Sequence, residues 1–563
     1  MKKVHKIYSI LILTLVFAFS GCNDESFLDL ERPPQFPWNS IQELEFAAVS
    51  PYQRFFHDGG WSCVFGENLC QQVMQSDYFR WFGNAESYST DQIYNRRYSE
   101  RIAEVQGLFS SLYAVIGLCN NGLEFYRTTN NEPFPVATAD DKTKNVARIK
   151  GELLFMRAYA YYHLVSIFCP PYDPAGANNS AILPMRDRVS LSSEEALDNT
   201  PVETSKFYDL IVSDLKEAKS ILPEDYQNGM HVSYKSRARV TKYAASAFLA
   251  QVYFTMGKFT GAESALTELD FVIGSNKFSL EADPFTNFNN ENRYPSNNEV
   301  IWWVFGADQL LFKSNHQIAR LQMFGKNSRN AKNGGRGLKA DWSLLSYFQM
   351  GMGKNALKEM GWMADPVNGD YSETDAARFD KRYKSLYYRF EGANAAAPST
   401  NQRSLASDDG KYMKNSKFYP LIGANEGFVM VDKYYRTPNG QWQNIPLIRL
   451  AELYLNRAII KKKANIAGWA SDYNKVAARA WDATAAGTAY VNKADADVTE
   501  RMIMVERWKE LAGEDAWYQQ YCRALKLPIA LGDRTQGQVI EYPYADAYWS
   551  NSIPQLEIDF RTK

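Results

Sequence analysis

Asp77-Tyr78-Phe79-Arg80-Trp81-Phe82-Gly83-Asn84 interleaves aromatic rings with a carboxylate, a guanidinium and an amide. That mixture suits a pyranose. The C–H faces of a sugar ring stack on indole and phenol rings, and its hydroxyls take planar amide, carboxylate or guanidinium partners. The segment has no clean period of two or of 3.6, so it reads as a loop. Trp81 is the first candidate platform, with Asp77, Tyr78, Arg80, Phe82 and Asn84 around it. A second patch of like character lies farther along, in Tyr294, Arg336, Trp342 and Trp362. Trp342 follows Gly334-Gly335-Arg336-Gly337 and Trp362 follows Gly361, so both stand beside permissive backbone. Some of these residues are expected to meet the Trp81 segment across the surface. The core is the competing place for each tryptophan, because Trp is usually largely buried. For Trp342 the competition is strong: Leu344, Leu345 and Phe348 have the spacing of a helix with one buried face.

Conversion chemistry is poorly represented. There is no HExxH and no GxSxG. Gly-Lys occurs at Gly257, Gly325, Gly353 and Gly410, but Ser or Thr never follows, so there is no P-loop. The chain has five histidines, and none has ligand spacing; His163 lies among apolar residues and reads as a core histidine. Asp365, Asn368, Asp370, Glu373 and Asp375 form a loose acidic ring without the EF-hand pattern, so a solvated loop is the reading. No catalytic residue, metal or cofactor is expected. A glycosidase's two carboxylates stay open at this point, because their separation is a three-dimensional quantity. Formal charge is −1, from 63 basic and 64 acidic residues, so no global field draws the chain to nucleic acid.

The N-terminus carries an address. Lys2, Lys3 and Lys6 precede the apolar run Ile7–Phe19, which is shorter than the ~20 residues of a bilayer span. Ser20 and Gly21 then precede Cys22. This is a secretory signal, and its small-small-Cys ending resembles a bacterial lipobox, with Phe19 where Leu is usual. The resemblance implies cleavage after residue 21 and lipidation of Cys22, leaving residues 22–563 as the mature chain. Loss of the three lysines takes the formal charge to −4. Cys63, Cys70, Cys119, Cys169 and Cys522 are an odd set with no CxxC. Cys119, Cys169 and Cys522 sit among apolar residues and read as buried small hydrophobes; a Cys63–Cys70 bridge stays open.

The elements that must position the candidate residues are mostly helical. Arg148–Phe168 has apolar residues on two adjoining tracks, which makes a helix buried from more than one side. Ser205–Leu222 repeats the period. Arg239–Ile273 reads as a helical hairpin broken at Gly257, and Ile445–Trp481 as another pair. A further helix is expected over about Val498–Tyr521. Small residues at helix contacts, a Gly break and then an aromatic are tetratricopeptide-like. By contrast, 275–445 holds 14 of the 33 glycines. Glu299–Phe305 reads as a strand with Trp302 and Trp303 on opposite faces, and Asp341–Phe348 as a short helix. The fold class is therefore mostly α: a tetratricopeptide-like helical-repeat scaffold over about 40–273 and 445–525, with a loop-rich, partly β insertion over about 275–445. Size suggests several domains; the spread of helical motifs favours a single one over 22–563.

Several segments together resemble the SusD/RagB family of outer-membrane nutrient-binding lipoproteins. Arg157-Ala158-Tyr159-Ala160-Tyr161-Tyr162-His163 is similar to the family's Arg-Ala-aromatic helix. Tyr208-Asp209-Leu210-Ile211 with Asp214, and Thr241-Lys242-Tyr243-Ala244-Ala245, match the helices that follow. Asp380 and Arg382 stand where the family has Asp-x-Arg. Pro446 through Tyr454 is the closest single match, and Glu506-Arg507, Glu510-Leu511, Glu514 and Arg523 resemble the last family helix. Asp515, Trp517 and Gln520 depart from it, which puts local helix pairing in question. Arg449 and Glu452 are expected on one helix as buried ion partners. Asn23-Asp24-Glu25 after the lipobox resembles a surface-export signal; a solvated tether is its plain reading. The resemblance implies a lipid-anchored protein at the cell surface that binds a glycan or oligosaccharide without converting it. It also implies a SusC-like TonB-dependent barrel beneath it as partner. The alternatives are a peptide or glycopeptide receptor of the RagB type and, less favoured, a surface glycoside hydrolase.

Overall fold

The computed structural model of the chain describes residues 38–56, 64–65, 73, 75–76, 78–81, 93–94, 100–226, 237–288, 297–304, 350–364, 373–390, 428–431, 433, 444–514, 517–527, 529–530, 541–542 and 552–561. Helices dominate them. In chain order the α-helices of five residues or more are α1 (Ile41–Phe56), α2 (Ala103–Thr128), α3 (Arg148–Phe168), α4 (Ser193–Leu197), α5 (Thr204–Ile221), α6 (Lys242–Thr255), α7 (Ala265–Gly274), α8 (Lys354–Glu359), α9 (Lys381–Leu386), α10 (Leu450–Lys463), α11 (Trp469–Ala480), α12 (Glu500–Leu511), α13 (Tyr518–Ala524) and α14 (Gln555–Arg561). Consecutive long helices pack on one another: α1 on α2, α2 on α3, α3 on α5, α5 on α6, α6 on α7, and α10 on α11 and α12. Among the described residues no helix is long and apolar enough to cross a membrane.

The period in α3 explains its place. Apolar residues on two tracks need cover from several sides, and α1, α2 and α5 supply it, so nearly every residue of α3 is buried. Cys169 leaves the helix in extended conformation, and Pro170-Pro171 cannot continue it. Gly122 of α2 lets the two helices close: a Cβ there would stand 2.5 Å from Leu153 Cδ1. In the α6–α7 hairpin Gly257 has φ +70°, and a Cβ on it would collide with the Pro174 ring. The second helix starts only at Ala265, where the Ser264 hydroxyl accepts from the Thr267 N–H at 3.3 Å. Phe259 therefore packs from the turn, not from a helix.

Two expected helices are shorter than their periods suggested. Ile445–Arg449 is a strand (β8), and α10 begins at Leu450. Pro446 holds Ile445 extended and lacks the N–H a helix needs. Arg449 thus ends a strand and does not share a helix with Glu452. Val498–Tyr521 divides into α12 and α13, with Gly513 at φ +82° between them.

The described strands form two-stranded antiparallel pairs. They are β1 (Phe79–Trp81) with β5 (Met350–Met352), β2 (Ala181–Pro184) with β3 (Pro201–Glu203), β4 (Val300–Val304) with β8, β6 (Tyr387–Phe390) with β7 (Phe428–Val431), and β9 (Ile529–Ala530) with β10 (Glu541–Tyr542). In the β4–β8 pair Trp302 lies opposite Ile448 and Trp303 opposite Pro446. Both indoles are buried, so the strand is covered on both faces.

Tyr159 is the centre of an aromatic cluster. Its ring stands 4.6 Å from His163, 4.9 Å from Phe248, 5.0 Å from Phe55, 5.1 Å from Trp302 and 6.0 Å from Trp517. Tilted and edge-on geometries suit the ring quadrupoles. α1, α3, α6, β4 and the turn before α13 thus meet at one residue. Burial holds the His163 imidazole down at about 3, so it is neutral, a core histidine. Trp517, one of the departures from the family pattern, is filled into this cluster. Cys119, Cys169 and Cys522 are buried and in no disulfide; burial pushes the Cys169 thiol up to about 12.

Buried charges fasten the scaffold as well. Arg148 binds Glu45 of α1 and Glu152 of α3, each at 2.5 Å, and Arg239 binds the same two carboxylates at 2.8 and 2.6 Å. The four close a ring. Arg157 and Asp214 pair α3 with α5 through two parallel bonds of 2.8 Å.

Candidate ligand-binding face

Phe79–Trp81 is a strand, where its sequence reads as a loop. Aromatic residues suit a pleated surface, but the partner comes from far away in the chain. Phe79 pairs with Met352, Arg80 with Gly351 and Trp81 with Met350. The Gly353 N–H donates to the Tyr78 carbonyl at 2.8 Å and closes the pairing. The early segment therefore pairs through its backbone with Met350–Met352, and none of the second-patch residues takes part in that pairing. The side chains of Arg80 and Trp81 lie outside the described residues, as do Asp77, Phe82, Asn84, Tyr294, Arg336, Trp342, the lipobox Cys22, Cys63, Cys70 and Asp341–Phe348.

Two candidates are corrected. Tyr78 is buried, with its ring 4.9 Å from Tyr518 and 5.9 Å from Trp508, so it anchors β1 to α12 and α13. Trp362 is fully buried, 4.8 Å from the Tyr387 ring and 5.1 Å from Tyr383. The reason lies in Gly361, which ends α8 at φ +70°. The Gly361 N–H donates to Lys358 O and the Trp362 N–H to Leu357 O, the bonds of a Schellman helix end. That turn directs the next side chain onto the core. Neither ring is available to a ligand.

Beneath this face a second set of buried charges ties the strands to the scaffold. Arg449, at the end of β8, binds Glu299 at 2.6 Å, Glu510 at 2.8 Å and Glu514 at 2.7 Å. Arg479 of α11 binds Glu299 and Glu510 at 2.9 and 2.5 Å. Arg382 of α9 binds Asp380 at 2.9 Å, Glu506 at 2.8 Å and Glu510 at 3.1 Å. Lys433, just past β7, binds Glu514 at 2.6 Å. Arg507 holds Asn456 and Glu452 between α12 and α10. Burial alone would raise the Glu510 carboxyl, but Arg479, Arg449 and Arg382 outweigh it and hold it well below the usual range. Burial lowers the Lys433 ammonium to about 8 against the pull of Glu514. Sequence reasoning found Arg449, Asp380 and Arg382 through the family pattern. It missed Glu299, Arg479 and Lys433, which lie on separate elements and share no spacing. Among the described residues no cluster of histidine, cysteine and carboxylate could hold a metal ion.

Family models match most of the chain. A SusD-like model, described as "Starch-binding associating with outer membrane", matches residues 65–254, and a model described as "SusD family" matches 298–552. A SusD-like protein, P2, of Formosa agariphila is 27% identical over 310 residues, 54% of this chain. The match spans 53% of that relative, so the chain covers about half of its length. Among solved structures, a SusD superfamily protein of Bacteroides thetaiotaomicron aligns with a TM-score of 0.66 at 19% identity, covering 92% of this chain and 98% of its own. A SusD-like carbohydrate binding protein of Bacteroides vulgatus aligns at 0.61 and 17%, covering 93% and 97%. The helical fold is shared with these structures. With two SusD models placed in order along it, the chain belongs to the SusD/RagB family.

Proposed function

We propose that this chain is a lipid-anchored protein of the outer-membrane surface that binds an extracellular glycan and passes it to a SusC-like TonB-dependent barrel. Residues 1–21 are the signal, Cys22 carries the lipid, and 22–563 form a single SusD-like domain. The observation that carries the reading is the family match over both halves of the chain, one half under a starch-binding, outer-membrane description. The β1–β5 pairing supports the place of the site, because it sets Trp81 against the glycine-rich middle segment. Trp81 is the stacking platform, with Arg80, Asp77, Phe82, Asn84, Tyr294, Arg336 and Trp342 as candidate neighbours. No conversion is assigned to it. The buried carboxylates around Arg449 are committed to guanidiniums, and a glycosidase acid needs a raised pKa.

The test is titration calorimetry of the full chain with oligosaccharides of α-glucan, β-glucan, mannan and xylan, beside a panel of peptides. Oligosaccharide binding is expected, weakened about tenfold, or ~1.4 kcal/mol, in Trp81→Ala at unchanged melting temperature. Binding of peptides alone would assign the chain to a peptide receptor. Release of shortened sugars would make it a hydrolase.

A further inference from the structure

A cleft of about 440 Å³ opens between α2, the segment from Pro184 to Asn199, and Glu557 of α14. None of the candidate residues above lines it. Its volume falls in the ~300–1,000 Å³ range of small-ligand sites. One face of α2 forms its floor, because Phe109, Tyr113, Gly117, Asn120 and Asn121 recur at helical spacing.

The walls are fixed by their own bonds. The Tyr113 hydroxyl donates to Pro184 O at 2.8 Å, which holds the partly buried ring in place, and Phe109 backs it at 4.9 Å. Asn120 donates to Arg186 O at 2.7 Å and accepts from Arg157 at 2.9 Å. The Arg186 guanidinium donates to Glu195 O, Ala196 O and Asn199 Oδ1 at 2.9, 3.2 and 2.9 Å, pinning the opposite wall. A site whose groups are already held loses little on binding.

Other groups in the cleft are unspent. Asn121, Ser110 and Ser190 line it and have no side-chain hydrogen-bond partner among the described residues. They offer an amide and two hydroxyls beside an aromatic ring. Gly117 lies inside α2, where glycine is unfavourable, and a Cβ on it would meet nothing within 4 Å. No neighbour needs that space. The missing side chain leaves the floor of the cleft open.

We propose that this cleft is a second saccharide-binding site. The ring of a neutral oligosaccharide lies over Tyr113, and its hydroxyls bond Asn121, Ser110 and Ser190. This rests on the glycan reading above but not on the Trp81 face. Two sites on one chain would raise the retention of a long glycan through effective concentration.

The test compares the full chain with Gly117→Phe, which fills the cleft from an uncrowded helical position, and with Asn121→Ala, an exposed change. Each is titrated by calorimetry and native mass spectrometry with the same α-glucan, β-glucan, mannan and xylan oligosaccharides. The unaltered chain is expected to take two saccharides. Gly117→Phe should take one, at unchanged melting temperature, and Asn121→Ala should weaken the second binding about tenfold. If Gly117→Phe lowers the melting temperature, Asn121→Ala decides. Stoichiometry and affinity indifferent to both variants would overturn the second site and leave the Trp81 reading intact. A single saccharide lost in Gly117→Phe and kept in Trp81→Ala would support the cleft and overturn the Trp81 site. No saccharide binding by the unaltered chain would overturn both.

Discussion

The ring of Glu45, Arg148, Glu152 and Arg239 sets two carboxylates against two guanidiniums. The set around Arg449 opposes Glu299, Asp380, Glu506, Glu510 and Glu514 to only Arg382, Lys433, Arg449 and Arg479. The ring joins the start of the scaffold to α3 and to the residues just before α6. The second set joins β4, β8 and the segment after β7 to α9, α11 and α12, and so underlies the pairs nearest β1 and β5. A balanced ring needs no further charge. The acid-rich set depends on each of its cations, and one of those is a lysine whose charge burial disfavours. The molecule is therefore electrostatically most vulnerable where β4 and β8 join α11 and α12.

Arg449→Met should separate the two sets most. It leaves three buried carboxylates short of a partner, and losing one partner of a buried pair costs ~3–5 kcal/mol. Arg148→Met strands two carboxylates that still share Arg239, so its cost should be smaller. Urea unfolding measures both, and an Arg148→Met loss equal to that of Arg449→Met would end the distinction.

Acid should separate the two sets next. Glu510 is held well below its ordinary value, so it contributes stability above the unfolded carboxylate pKa, and that contribution fades as pH falls below about 4.5. In the ring, burial raises Glu45, whereas Arg239 and Arg148 overcome burial to lower Glu152, so the two oppose each other. Hydrogen exchange, corrected for intrinsic rates, should show α12 losing protection at higher pH than α3. Equal loss in both helices would mean that the sets do not differ.

Alkali should reveal Lys433. Its folded pKa of about 8 lies below the ordinary 10.5, so the unfolded chain binds the extra proton between those values. Stability should therefore rise across that window, by on the order of 3 kcal/mol relative to Lys433→Met. Parallel pH profiles for the two proteins would remove Lys433 from the argument. The ring's two cations are arginines held above their ordinary range by Glu152 and Glu45, and it has no lysine.

The smallest effect is expected at the surface. Arg501 and Glu359 link α12 to α8, but both are largely exposed. Glu359→Gln should change stability by no more than about 0.5 kcal/mol. A larger loss would show that exposed pairs also hold the face.

The helical scaffold was legible in the sequence because burial repeats along a helix every three to four residues. α3 was readable end to end, and Pro170-Pro171 marks its stop. The β8 strand was misread because the helical period of Leu450, Leu453, Tyr454 and Ala458 was carried back to Ile445, and the proline at 446 decides against it. The ligand face was less legible. Tyr78 and Trp362 have the residue types of a sugar site, yet residue type does not say which way a side chain turns. Gly361 suggested loose backbone and is instead a helix end that drives Trp362 inward. The cleft on α2 left only a faint trace: a glycine in mid-helix beside asparagines.

The class of the chain was already written in its residues: the order of family motifs, the dominance of helix and the shortage of catalytic patterns. These follow from local spacing, which a single chain displays directly. Tertiary structure alone decided that β1 pairs with β5 across some 270 residues, that Trp517 enters the Tyr159 cluster, and that nine charges from separate elements converge beneath the face. Contacts between distant segments are set by the packing of whole elements. No local pattern of residues records them.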